Sequence, residues 1–127
     1  MCGILGGLNL DETKFNEGLD LMRHRGPDST GRYISLEDNT FIYLGMNRLA
    51  ITGISTGAQP LHSKCGRIVL TFNGEIYNYR DIWTNLAINY EPRSDGDAII
   101  ELYLKYGSKG FKMLRGMFAI SLYDKSI

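Results

Sequence analysis

Residues 2–10, CGILGGLNL, form a short apolar run broken by glycines, the pattern of a buried strand that other backbone can approach closely. From Glu12 the period changes. Phe15, Leu19 and Met22 fall on one helical face, Asp11 stands where an N-cap belongs, and Gly26 with Pro27 ends the run. Apolar–polar patterning then predicts strands over 32–36, 40–51 and 67–73, the first two joined by Glu37, Asp38 and Asn39 and the third preceded by the turn SKCG. Residues 79–90 and 97–106 return to helical spacing, the second helix capped by Ser94 or Asp95 and stopped by Gly107. GMFAISLYD reads as a last buried strand with no partner after it, so either a sheet edge or a shortened chain is expected there. The order β, α, several β, two α, β predicts an α+β domain with helices packed on antiparallel sheet.

Composition narrows the picture by exclusion. At 127 residues, 43% hydrophobic and 22% charged, the chain suits one soluble domain covering 1–127. Fourteen Lys and Arg against fourteen Asp and Glu leave no net field to attract nucleic acid or an anionic membrane. Apolar runs fall far short of the roughly 18 residues of a membrane span, and no leader precedes Cys2, so a cytoplasmic protein is expected. Cys2 and Cys65 are too few for a disulfide framework or a four-cysteine zinc site. His24 and His62 have no ligand partner at helical spacing and, with Cys65 in its turn, read as structural or surface residues.

Cys2 poses the first chemical question. If Met1 is removed, this residue carries both a thiol and a free α-amine, with reference pKa values near ~8.5 and ~7.7–8.0, a nucleophile with its own base. The plain alternative is a cysteine at position two by chance. Donors for an acyl-transfer oxyanion are available in FNGEIYNY, where the Asn73 amide and the Gly74 N–H follow the run IVLTF. Asn-Gly is equally a hairpin turn signal. A free amino acid needs opposite charges at its two ends: Arg48 in GMNRLAI suits a carboxylate and Asp95 in RSDGDA an ammonium. The alternatives are a strand-surface charge for Arg48 and simple helix capping for Asp95.

Taken together, MCGI, RHRGPDSTG, RLAITG with GAQPL, FNGEIYNY, RSDGDAII and LRGMFAISLYD resemble, in that order, the glutaminase domain of class II glutamine amidotransferases. RHRGPD followed by NGEIYN places the resemblance closest to the asparagine-synthetase branch. It covers the whole chain. The resemblance implies an N-terminal-nucleophile hydrolase fold, a four-layer αββα sandwich of two antiparallel sheets, and hydrolysis of L-glutamine to glutamate and ammonia. It implies Cys2 as nucleophile with its α-amine as base, Asn73 and Gly74 as oxyanion hole, and Arg48 on the glutamine carboxylate. Leu49, Ala50, Ile51 and Thr52 would line the site with backbone, and Glu75 and Asp95 would face the ammonium. No metal or organic cofactor is implied for this domain; ATP and magnesium belong to a synthetase domain or subunit that receives the ammonia, and a homodimer is left open. The family has glutamate where Asp97 stands, and its sheets continue past GMFAISLYD, so a fragment or early-terminated product is expected. The competing expectations are a non-catalytic glutamine-binding module that keeps the fold, and a hydrolase of some other amide.

Overall fold

The computed structural model describes residues 1–51 and 53–127. Its strands are β1 (Gly3–Leu8), β2 (Ser29–Glu37), β3 (Thr40–Arg48), β4 (Leu61–His62), β5 (Ile68–Ile76) and β6 (Gly116–Asp124). The helices are α1 (Glu12–Leu21), α2 (Tyr79–Asn85) and α3 (Gly96–Tyr106), with 3-10 segments at Arg23–Arg25 and Gly107–Met113. Two antiparallel sheets form, ordered β1-β3-β2 and β4-β5-β6.

Each sheet buries its outer face under helix. Phe15 and Leu19 from α1, four residues apart, pack on Tyr43 of β3 with Leu5 and Met22 beside them. Asp11 starts α1 as expected, its Oδ1 accepting from Lys14 N at 3.0 Å. Beneath the other sheet, Ile82 of α2 and Ala98, Ile99 and Leu102 of α3 pack on Leu61, Ile68, Leu70 and Phe72. Each fully buried Leu or Ile of this larger cluster contributes roughly 1.5–3 kcal/mol. The sheets meet through β1, β3 and β5, and the rings of Tyr33 and Tyr123 pair across them at 6.3 Å. The layering is therefore the αββα sandwich that was expected.

Several boundaries differ from the sequence expectation, each for a physical reason. The strand from Thr40 stops at Arg48, because the chain then leaves the sheet, Leu49 and Ile51 walling a cavity. The run from Ile68 does not turn at Asn73 and Gly74 but continues as β5 to Ile76, held by pairing of Asn73 with Ala119 and Gly74 with Phe118. The second helix ends at Asn85, and Ala87 with φ 53° takes the chain out of helical geometry. The last strand has a partner, β5, but lies at the sheet edge with Met117 53% exposed, so it is not the buried strand its apolar run suggested.

Candidate functional site

One end of the sandwich gathers the start of β1, the end of β3, the second half of β5 and the start of α3. Antiparallel pairing of Gly3 with Asn47 brings Cys2 beside Arg48 and Leu49, the latter 47 residues from the cysteine in sequence. The half-buried Cys2 thiol sits in the backbone of Leu49: Leu49 N donates to Sγ at 3.2 Å and Sγ donates to Leu49 O at 3.5 Å.

The segment RHRGPD bolts this corner together. Arg25 Nε donates to Cys2 O at 3.1 Å, Asp28 N donates to Arg48 O at 3.0 Å, and Asp28 Oδ2 accepts from Ala50 N at 2.8 Å. From sequence this segment served as a helix stop at Gly26 and Pro27 and as part of the resemblance, and Arg25 and Asp28 were given no role. Its contacts are long-range, so no local spacing announced them.

A cavity of about 120 Å³ opens at this corner, lined by Cys2, Arg48, Leu49, Ile51, Asn73, Gly74, Glu75 and Asp95 among others. Eight of the ten residues singled out from sequence thus share one cavity. Ala50 points its N–H to Asp28 instead and is not in the lining, and Thr52 lies outside the described residues. The sequence reading missed Gly57, Gln59, Ser94 and Met117, which complete the wall together with Met1 and Phe72. Gly57 and Gln59 sit in the GAQPL segment, whose only local signal was its glycine and proline; Gln59 Oε1 accepts from Phe72 N at 2.7 Å and so ties that loop to β5.

The charged ends of the cavity are built, not incidental. Arg48 is 7% exposed, so it is not a strand-surface charge; Nη1 donates to Ile54 O at 3.1 Å and Nη2 to Gly53 O at 2.6 Å. Asp95 is 3% exposed, and although it precedes α3 its side chain makes no capping bond. Its Oδ2 accepts from Ile76 N at 2.8 Å, stitching α3 to the end of β5. The cap falls to Ser94, whose Oγ accepts from Gly96 N at 3.3 Å. Burial pushes the Asp95 carboxyl above its ordinary pKa, the Ile76 N–H partly offsets this, and the nearby Glu75 charge adds to the rise. Glu75 itself is exposed at the rim.

Asn73 carries a buried Oδ1 with no hydrogen-bond partner, unusual for an interior amide and therefore a group the fold has not consumed. Gly74 beside it has φ 136°, and a Cβ there would lie 1.9 Å from Met117 O. Only glycine lets β6 approach this closely.

Asp97, where the resemblance predicts glutamate, points away from the cavity. It accepts Arg93 N at 2.7 Å and pairs with the Arg93 guanidinium at 2.5 Å. Cys65 is exposed with its Sγ 3.3 Å from Ser63 Oγ, and the His24 ring contacts Leu21 O at 3.0 Å, consistent with structural or surface roles. Among the described residues no group of three or more His, Cys, Asp or Glu is placed to hold a metal ion, and no helix is long and apolar enough to cross a membrane.

Comparison with known proteins fits this arrangement. The family model described as "Glutamine amidotransferase domain" matches residues 1–127. A "Probable asparagine synthetase [glutamine-hydrolyzing]" of Schizosaccharomyces pombe is 45% identical over 82% of this chain and 18% of its own length. "Asparagine synthetase B [glutamine-hydrolyzing]" of Escherichia coli is 39% identical over 98% of the chain and 23% of its own. "Amidase chry2" of Gibberella zeae is 41% identical over 85% of the chain and 16% of its own. The chain thus spans less than a quarter of the length of these relatives. With a thiol, an arginine and two carboxylates converging as the six sequence motifs require, the chain belongs to the glutamine amidotransferase domain family.

Proposed function

We propose that the chain hydrolyses the side-chain amide of L-glutamine, yielding glutamate and ammonia through a thioester on Cys2. The observation that carries this reading is the convergence of Cys2, Arg48, Asn73, Gly74, Glu75 and Asp95 on a single cavity. Removal of Met1 frees the Cys2 α-amine, which takes the thiol proton. Sγ bonds to the amide carbon as the carbonyl electron pair moves onto oxygen, where the Asn73 amide and the Gly74 N–H receive it. The tetrahedral species collapses with cleavage of the C–N bond, and the proton held by the α-amine leaves on ammonia. Water then attacks the thioester, releasing glutamate and restoring the thiol.

Arg48 holds the glutamine carboxylate and Asp95, with Glu75 at the rim, holds the ammonium. Leu49 and Ile51 contribute to the wall beside the thiol. The hydrolysis draws on the α-amine as its base and asks for no metal or organic cofactor. The ammonia passes to an amide-forming synthetase domain or subunit of the asparagine-synthetase type, where ATP and magnesium act, in the cytoplasm. The relatives' names support a synthetase partner, since two of the three above are glutamine-hydrolysing asparagine synthetases.

Intact mass of the purified chain, before and after incubation with a diazoketone analogue of L-glutamine, tests this. Loss of Met1 and a single adduct mapped to Cys2 are expected, with glutamine turnover abolished in Cys2→Ala. Retained Met1 with no adduct would mean that the cavity binds but does not react, the non-catalytic alternative.

A further inference from the structure

The two charged ends of the cavity come from elements far apart in the chain, Arg48 at the end of β3 and Asp95 at the start of α3. One short turn touches Arg48 itself and the two residues that precede Asp95. On one side Gly53 O and Ile54 O accept from the Arg48 guanidinium at 2.6 and 3.1 Å. On the other, Thr56 Oγ1 donates to Arg93 O at 2.5 Å, two residues before Asp95. Gly57 N closes the turn on Gly53 O at 2.7 Å.

The turn fills its gap completely. A Cβ built on Gly57 would lie 2.9 Å from Arg48 Nη2, 2.9 Å from Gly53 O and 2.9 Å from Ser94 Cβ. At Gly53, with φ 60°, it would lie 2.2 Å from Arg93 O and 2.9 Å from Ser94 Cβ. Arg48 and the residues leading into α3 are thus separated by one thickness of side-chain-free backbone. Gly57 has no positive φ, so its backbone would accept alanine, and what forbids a side chain there is the neighbours alone.

We propose that the turn at 53–57 is a spacer that fixes the separation of Arg48 from Asp95, and that Gly57 is a specificity-determining position for substrates carrying both an α-carboxylate and an α-ammonium. This rests on the glutaminase reading above. A methyl at position 57 has three neighbours to displace: the guanidinium, the carbonyl that holds it, and the residue preceding Asp95. Each is one side of the clamp, so whichever gives way changes the span between the charges. The Cys2 thiol, where the amide end of the substrate reacts, is held by the Leu49 N–H and is not among the neighbours of a side chain at 57.

The test compares two reagents on the Cys2 thiol, with the exposed Cys65 replaced by serine in every chain compared. The diazoketone analogue of L-glutamine carries both charges; iodoacetamide carries neither. In Gly57→Ala the rate constant with the diazoketone is expected to fall about tenfold to a hundredfold, the scale of a misplacement near 1 Å, while that with iodoacetamide stays within about twofold. Thr56→Val, which removes only the bond to Arg93 O, is expected to shift the ratio of the two rates in the same direction by less. It carries the test alone if Gly57→Ala lacks a cooperative melting transition. Parallel changes with both reagents, or an unchanged ratio in the variant that folds, overturn the spacer role. A wild-type chain that iodoacetamide alkylates but the diazoketone does not would overturn the glutaminase reading, and the spacer with it.

Discussion

Asp95 and Asp124 are buried to almost the same degree, 3% and 4% exposed, yet their surroundings move them in opposite directions. Asp124 is saturated. Arg67 donates to both of its oxygens at 2.8 and 2.6 Å, Tyr103 OH adds a bond at 3.1 Å, and Ser126 adds two more from N and Oγ. The Arg67 guanidinium, chiefly, holds its carboxyl well below the usual carboxylate range. The Asp95 carboxylate accepts from Ile76 N and faces a cavity with the Glu75 charge beside it, so burial, chiefly, raises its pKa instead. A carboxylate paired with a guanidinium closes a strand end; one met by backbone N–H groups beside a cavity is poised to take a cation. Burial alone does not distinguish structure from function, whereas the inventory of partners does.

Exchanging the two acids for amides breaks the comparison most sharply. Asp124→Asn removes a charge that three side chains and a backbone N–H are arranged to meet, and is expected to lower stability by about 1.5–3 kcal/mol with the diazoketone rate held within about twofold. Asp95→Asn keeps an oxygen for Ile76 N and removes a poorly solvated charge, so its melting temperature should hold or rise. Its affinity for L-glutamine is expected to fall about tenfold or more, the loss of one charge-assisted bond to the ammonium. Thermal melts and calorimetric titration of glutamine on both variants decide the matter. If Asp95→Asn melts at a lower temperature while binding glutamine normally, Asp95 is a structural stitch between β5 and α3 and nothing more.

Much of this corner was legible in the sequence, and the residues that were not share one property. Cys2, Arg48 and Asp95 each interrupt an apolar or glycine-rich context with a reactive group, a contrast visible locally. Arg25, Asp28 and the pair Arg67 and Asp124 act across separations of 22 to 57 residues, which no periodicity encodes. The Asn73-Gly74 pair was ambiguous because its turn signal is a property of two residues alone. Pairing with β6, a strand 40-odd positions later in the chain, decides for strand. β4 is two residues long, too short to show any alternation, and β6 reads the same whether its apolar face is covered or exposed.

The opposed pKa shifts also predict opposed contributions to the pH dependence of stability. Asp124 has a folded pKa below its unfolded value of about 3.9, so its stabilisation is present above that value and is lost as pH falls toward the folded one. Asp95 has a raised folded pKa, so its folded state binds the proton more readily, and stability is lost as pH rises from about 3.9 through the raised value. Melting temperatures from about pH 3 to pH 7 should therefore show a shallower acid limb in Asp124→Asn and a steeper rise just above about pH 4 in Asp95→Asn. Identical profiles for the two variants would show that the acids do not differ as their partners indicate.

Glu75 gives the smallest and most discriminating effect. It lines the same cavity as Asp95 but is exposed, so water screens its attraction for an ammonium to about 0.2–1 kcal/mol. Glu75→Gln should then weaken glutamine binding only about threefold, with no change in melting temperature. It has a second consequence through its neighbour. The Glu75 charge is one of the causes that raise Asp95, so its removal lets Asp95 ionise at lower pH and should move the acid limb of glutamine binding downward. A loss in Glu75→Gln larger than that in Asp95→Asn would reverse the ranking, and would assign the ammonium to the rim of the cavity rather than to its buried end.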